Sequence, residues 1–219
     1  MFRKTIYILS IIIVFILILF VFTYYVTDGS ADKFALKSGE LFKKVGQTFS
    51  SQNSSNDSKA LAEEYNNTGS RYSIRYPVDW SYDDKSTKGA VIFRGKEGTS
   101  AFLATVNIQT VLTKQTGGKF STAKAFMADL KSQAEQQPLK AKFLEKGPIV
   151  FNMPNGTKVS GEYLILTYQF NNFDFKQWQI VVLRNDNQVF YAWAYTAPAN
   201  QYDDSLAIAK SMLESWIIY

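Results

Sequence analysis

The stretch Gly161–Thr196, GEYLILTYQFNNFDFKQWQIVVLRNDNQVFYAWAYT, decides the fold. It holds three apolar runs, Tyr163 to Phe170, Lys176 to Leu183 and Val189 to Thr196, rich in β-branched and aromatic side chains and separated by polar clusters. Runs of this composition and length are strands. The link Arg184-Asn185-Asp186-Asn187-Gln188 is short and built from residues that tolerate turn geometry. The link around Asn171, Asn172 and Asp174 has the same chemistry, so the spacing predicts antiparallel neighbours throughout.

Successive side chains of a strand point to opposite faces of its sheet. Leu164, Leu166, Tyr168 and Phe170 share one face of the first run, with Tyr163 and Ile165 on the other. In the third run Phe190, Ala192 and Ala194 oppose Val189, Tyr191, Trp193 and Tyr195. A sheet that is apolar on both sides needs cover on both sides. The chain must therefore supply helices to both faces or leave an aromatic face for a partner. The row Tyr191, Trp193 and Tyr195 is the candidate partner surface, since large amphipathic rings anchor protein interfaces.

Composition narrows the chemistry. The 219 residues include no cysteine and no histidine, which removes disulfides, thiol nucleophiles, imidazole bases and the usual zinc and copper ligands together. A formal net charge of +5 is spread along the chain without the dense basic stripe that nucleic acid requires, so no nucleic-acid partner is expected.

Ile6 to Val26 is an uncharged apolar run of about 20 residues, the length of a membrane-spanning helix. Arg3 and Lys4 precede it, Asp28 and Asp32 follow it, and the positive-inside rule keeps the amino terminus in the cytoplasm. The rest of the chain then faces the periplasm or the cell exterior. The run is long for a cleaved leader, so a retained signal anchor is expected, although Gly29-Ser30-Ala31 would suit a signal peptidase.

Phe34, Leu41, Val45 and Phe49 follow at helical spacing, and Ser50 to Ser58 is a polar linker. The organisation expected is a cytoplasmic amino terminus over 1–5, an anchor over 6–26, a juxtamembrane helix and linker over 27–70, and a folded domain over 71–219. Lys59 to Tyr65 is read as a helical turn ended by Asn66-Asn67-Thr68-Gly69.

Within the domain, Tyr72 to Tyr76, Gly89 to Arg94 and Ala101 to Leu112 read as strands. Ser121 caps a helix reaching Gln137, with Ala123, Phe126, Met127, Leu130 and Ala134 on one side. Phe143 to Val159 is a strand pair turning at Asn155-Gly156, and a helix from Asp203 to Ile217 closes the chain.

This order, with Tyr72-Ser73-Ile74-Arg75-Tyr76-Pro77-Val78-Asp79-Trp80, Gly89-Ala90-Val91-Ile92-Phe93 and Tyr195-Thr196-Ala197-Pro198, resembles the PsbP-like family from about Arg71 onward. The resemblance implies an α+β fold, an α/β/α sandwich with a mostly antiparallel sheet. The family's name-giving members are extrinsic subunits on the lumenal side of photosystem II, and bacterial relatives look like membrane-anchored or secreted proteins. The anchor here departs from the photosynthetic members.

No activated nucleophile, acid–base pair or metal motif stands out, so no catalytic, cofactor or metal residue is assigned. Asp79, Asp83 and Asp84 cluster without the spacing of a calcium loop and read as a solvated turn. The function expected is a non-catalytic, membrane-tethered binding or assembly module that engages an envelope protein or complex. The alternatives are a carrier of a small apolar ligand held between sheet and helix, and a hydrolase built on carboxylates or lysine.

Overall fold

The computed structural model describes residues 61–85, 89–99, 101–136, 139–170 and 173–219. Among these residues ten strands form in chain order: β1 Glu63–Asn67, β2 Tyr72–Tyr76, β3 Ser81–Asp83, β4 Ala90–Arg94, β5 Thr105–Leu112, β6 Lys142–Asn152, β7 Lys158–Phe170, β8 Phe173–Leu183, β9 Val189–Pro198 and β10 Ile217–Ile218. Two α-helices accompany them, α1 Ala123–Gln136 and α2 Tyr202–Glu214. The main sheet has the order β3-β4-β5-β9-β8-β7-β6, and β1-β2-β10 form a second, smaller one. Neighbouring strands in both sheets are antiparallel, and β9, the most apolar strand, lies at the centre of the larger sheet, where both of its edges are hydrogen-bonded.

The two-sided apolar pattern of β9 is met by cover on both faces. Phe126 of α1 packs on Phe190, ring centroids 5.6 Å apart, whereas Tyr202 of α2 packs on Tyr195 at 4.8 Å. Phe190 and Tyr195 differ by an odd number of residues, so the two helices lie on opposite faces. The small sheet joins the α2 side: Tyr72 of β2 meets Tyr191 edge-on at 5.7 Å and Trp216 at 6.4 Å. The result is a three-layer α+β sandwich. Its largest core lies on the α2 side, where Trp193, Trp216, Tyr191, Tyr195 and Tyr72 are fully enclosed. Each such side chain contributes about 2–3 kcal/mol through apolar burial.

The edges of the main sheet are blunted. β3 is short, and β6 carries Lys142, Lys146, the imino acid Pro148 and a register shift between Phe143 and Glu145. These features oppose strand addition by another chain.

Several boundaries differ from the sequence expectation. Glu63–Asn67 is strand where a helical turn is expected, because Tyr65 gains the rings of Phe93, Tyr72 and Tyr82 as β1 pairs with β2. Ordered structure therefore begins before Arg71. β3 carries little apolar alternation and has no counterpart in the sequence reading, and Ala101 to Leu103 form a turn ahead of β5.

The helix N-cap is Thr122 rather than Ser121, its Oγ1 accepting from the Ala125 amide at 3.1 Å. The second strand of the expected Phe143 to Val159 pair and the run Tyr163 to Phe170 are one strand, β7, which continues through Gly161. The final helix stops at Glu214, and Ile217–Ile218 turns back to pair with β2. The hairpin at Asn155-Gly156 forms as expected, with Gly156 at φ 80° and its amide donating to Met153 O at 2.9 Å. No helix among the described residues is long and apolar enough to cross a membrane. The run 6–26 and the segment 27–60 lie outside the described residues.

Candidate functional site

The α1 face of β5, β9 and β8 differs from the rest of the interior. The register aligns Thr105 with Thr196 and Gln177, Asn107 with Ala194 and Gln179, and Gln109 with Ala192 and Val181. All these side chains share the face of Phe190, and α1 lies mainly over β7 and β8. The small, buried alanines Ala192 and Ala194 of β9 thus lie between amides of β5 and β8. Asn107 and Gln109 stand on one side and Gln177 and Gln179 on the other, two strand spacings or roughly 10 Å apart at the backbone. Thr105 and Asn107 are half-buried, while Gln109, Gln177, Gln179 and Thr196 are buried.

The buried polar groups form a short relay. Gln177 Nε2 donates to Thr196 Oγ1 at 2.7 Å, and Gln179 Nε2 donates to Gln177 Oε1 at 2.6 Å. Gln179 Oε1, in a residue only 5% exposed, has no hydrogen-bond partner among the described residues. Burying an unmet carbonyl costs about 1–3 kcal/mol. Reversing both amides would leave a donor at the same place, because an amide end presents either polarity. At the β4 side Arg94 is in register with Thr105, and its guanidinium lies 3.7 Å from the Asp83 carboxylate.

Converting Gln177 and Gln179 to Leu together with Thr196 to Val removes both partners of each relay bond and the unmet carbonyl at once. The expected effect is neutral, or stabilising by up to about 2 kcal/mol. Denaturant melts of the triple variant check this. A loss of stability would mean that the relay serves the fold.

The row Tyr191, Trp193 and Tyr195 lies elsewhere. All three are 0% exposed, so the expectation of a partner surface there is corrected: α2 and the β1-β2-β10 sheet cover that face. Tyr195 donates its hydroxyl to Tyr202 O at 2.6 Å and Tyr191 donates to Ser70 O. Burial pushes both phenols above their ordinary range.

The acidic turn is similarly engaged. Asp84 accepts from the Tyr65 hydroxyl at 3.2 Å, and desolvation together with that carboxylate pushes Tyr65 up to about 12. Asp203 and Asp204 occupy the first turn of α2, where carboxylates complement the helix dipole.

The turn between β8 and β9 holds a charged knot. Arg184 is buried; its Nε donates to Asp186 Oδ1 at 2.8 Å, its Nη2 forms an ion pair with Asp186 Oδ2 at 2.8 Å, and its Nη1 donates to Tyr191 Oη at 3.3 Å. Arg71 adds a second cation 3.4 Å from Asp186. The Arg184 hydrogen bond, helped by the Gln188 amide, holds the Asp186 carboxyl below the ordinary range. A carboxylate with a depressed folded pKa stabilises above its unfolded value and loses that contribution as pH falls through the folded one. Asp186→Asn is therefore less stable than the parent at pH 7, with the gap closing below about pH 4. Thermal melts across pH check this, and a gap that stays constant would contradict it.

No protein-family model and no curated protein matches the sequence. Among solved structures, cyanobacterial PsbP from Synechocystis aligns with a TM-score of 0.50 and 14% identity, over 76% of this chain and 98% of that one. The fold is PsbP-like. A Pseudomonas aeruginosa protein of unknown function aligns at 0.48 with 15% identity, over 72% of this chain and 96% of that chain. The Ran-binding protein Mog1p of Saccharomyces cerevisiae aligns at 0.47 with 11% identity, over 71% and 94%. At these identities the likeness to PsbP is one of fold alone, and the site must be argued from this chain's own residues.

Gln177, Gln179, Asn107 and Gln109 are not singled out in the sequence, and Thr196 enters there only within the motif Tyr195-Thr196-Ala197-Pro198. The alternation Ala192-x-Ala194-x-Thr196 beneath a row of large rings is a legible sign of a shallow strand face, but its amide walls arise only from strand register.

Proposed function

We propose that this chain is a non-catalytic binding module, held at a membrane by residues 6–26 with its folded domain on the far side from the cytoplasm, and that it engages a protein or complex of the cell envelope. Its binding surface is the half-buried β5 margin of the amide-lined face, Thr105 and Asn107, beside the buried Gln109, Gln177 and Gln179. The observation that carries this reading is the Gln179 carbonyl, buried and unmet at the end of a hydrogen-bonded relay. Amides and hydroxyls bind and orient, but they supply neither a nucleophile nor an acid–base pair near neutral pH. A PsbP-like fold is compatible with such a role, and the uncharged run Ile6 to Val26 followed by the polar linker Ser50 to Ser58 supports the tether.

In-cell crosslinking of the full chain followed by mass spectrometry tests the proposal. The expected result is a reproducible envelope partner whose crosslinks fall on the membrane-distal domain and concentrate around β4 and β5. Crosslinks to cytoplasmic proteins, or crosslinks spread evenly over the domain, would contradict it.

A further inference from the structure

We infer that the β6 edge of the main sheet rests on the anionic phospholipid surface of a bilayer. The inference rests on the reading of residues 6–26 as a membrane tether and adds which side of the domain meets the lipid.

Two features coincide on β6. The first is apolar exposure: Leu144 and Val150 are 56% and 54% exposed, and Pro148 between them is exposed as well. Leu144 falls at the register shift between Phe143 and Glu145, so it has no partner across the ladder on β7, and the bulge turns it to solvent. α1 lies mainly over β7 and β8 and does not shield this edge.

The second feature is charge. Over residues 139–162 four lysines, Lys140, Lys142, Lys146 and Lys158, stand against two carboxylates, Glu145 and Glu162. All four lysines are exposed and none forms an ion pair among the described residues; Lys140 donates to the neutral Gln169 Oε1 at 2.9 Å. Glu145 accepts from the Tyr163 hydroxyl, and Glu162 is half-buried. Lysine stems lie along apolar surface while their ammonium groups reach outward, so Leu144 and Val150 can enter the headgroup layer with the cations at phosphate level.

The other exposed apolar pair supplies the contrast. Val78 and Tyr82 lie around the β2–β3 turn, where residues 63–85 carry five carboxylates against three cations. An anionic surface repels that side and attracts β6. Residues 27–60 separate the apolar run from Leu61, so the acidic entry side need not be the one that meets the bilayer.

The shape suits a plane. β6 runs for 11 residues, roughly 35 Å, and its lysines are spread along it and across the hairpin to Lys158. A sheet of phosphates meets the whole row, whereas a single small anion would meet one lysine. β5 lies four strand spacings from β6, roughly 19 Å. With β6 on the lipid, Thr105 and Asn107 stay clear of the bilayer and open to a protein partner.

Methyl resonances of the full chain in nanodiscs, with a nitroxide on the headgroup of a trace lipid, provide the test. The discs are phosphatidylcholine alone or phosphatidylcholine with phosphatidylglycerol. The expected result is strong broadening of Leu144 and Val150 when phosphatidylglycerol is present, with the exposed Val78 and Leu112 spared. The broadening is lost in phosphatidylcholine alone and in about 1 M salt. Lys142→Gln and Lys146→Gln, both at exposed positions outside the core, each lower the ratio of docked to undocked domain about fivefold, and Lys85→Gln leaves it unchanged.

Equal broadening of all four side chains, or broadening indifferent to phosphatidylglycerol or to the β6 variants, would overturn the inference. If soluble polyphosphate shifts the Leu144 and Val150 methyls while the lipids do not broaden them, the edge belongs to a polyanion and the lipid assignment falls. A chain that enters the discs without broadening at β6 leaves the tether standing and removes this inference; a chain that does not enter them removes both.

Discussion

Trp216→Ala is expected to destabilise the domain by about 4 kcal/mol, the upper part of the range for large aromatic truncations. Trp216 is fully buried where three separately coded parts of the fold meet. Its ring is edge-on to Tyr72 of β2 at 6.4 Å and to Tyr191 of β9 at 5.7 Å, and stacks near Phe151 of β6 at 6.3 Å. Removing the indole opens a cavity beneath both sheets, and the α2-to-β10 connection that positions it cannot collapse without breaking the pairing of Ile217 and Ile218 with β2. The indole Nε1 has no hydrogen-bond partner among the described residues, so Trp216→Phe loses area but no bond and costs less than half as much. Denaturant unfolding of both variants separates the terms. Equal losses would show that packing volume is not what Trp216 supplies.

Gly161→Ala is the second large effect, expected at about 3 kcal/mol or more. A Cβ at this position lies 2.2 Å from the Val181 carbonyl oxygen and 2.8 Å from Val182 Cγ1, at the end pair of the β7–β8 ladder, where Gly161 faces Val182. The clashing atom is sheet backbone, which moves only if the ladder opens. At Gly147 the corresponding Cβ meets the Tyr163 ring at 3.3 Å, and a side chain can turn aside. Gly147→Ala therefore costs less than about 1 kcal/mol, and the ratio between the two variants tests the account better than either value alone. Similar losses at both would mean that strand glycine entropy, not close approach, governs these sites.

That contrast also marks what the sequence makes legible. The three central strands, their turns and the need to cover both faces can be read from Gly161 to Thr196, because alternation and turn chemistry are local. The continuity of β7 cannot: Gly161 reads as a break and is instead the residue that lets β7 approach β8 closely. Glu63–Asn67 and Ile217–Ile218 are short and weakly patterned, and become strand only because β2 offers each an edge.

The aromatic row of β9 attracts attention as a surface for the same reason that it is interior. Large rings are needed where α2 and a second sheet close over the strand, and sequence distance hides both covers. The amide site is the inverse case. Asn107, Gln177 and Gln179 are unremarkable singly, since each is read within its own strand. Only the register through Ala194 and Thr196 brings them onto one face.

Binding at the β5 margin of this amide face is the central claim. The most direct measurement is a comparison of side-chain amide and indole resonances of the full chain before and after addition of solubilised envelope from its own cells. The account predicts shifts at Asn107, Gln109 and Gln179 with the Trp193 and Trp216 indole signals unmoved. Shifts confined to other surfaces, such as the exposed Val78 and Tyr82 around the β2–β3 turn, would contradict it.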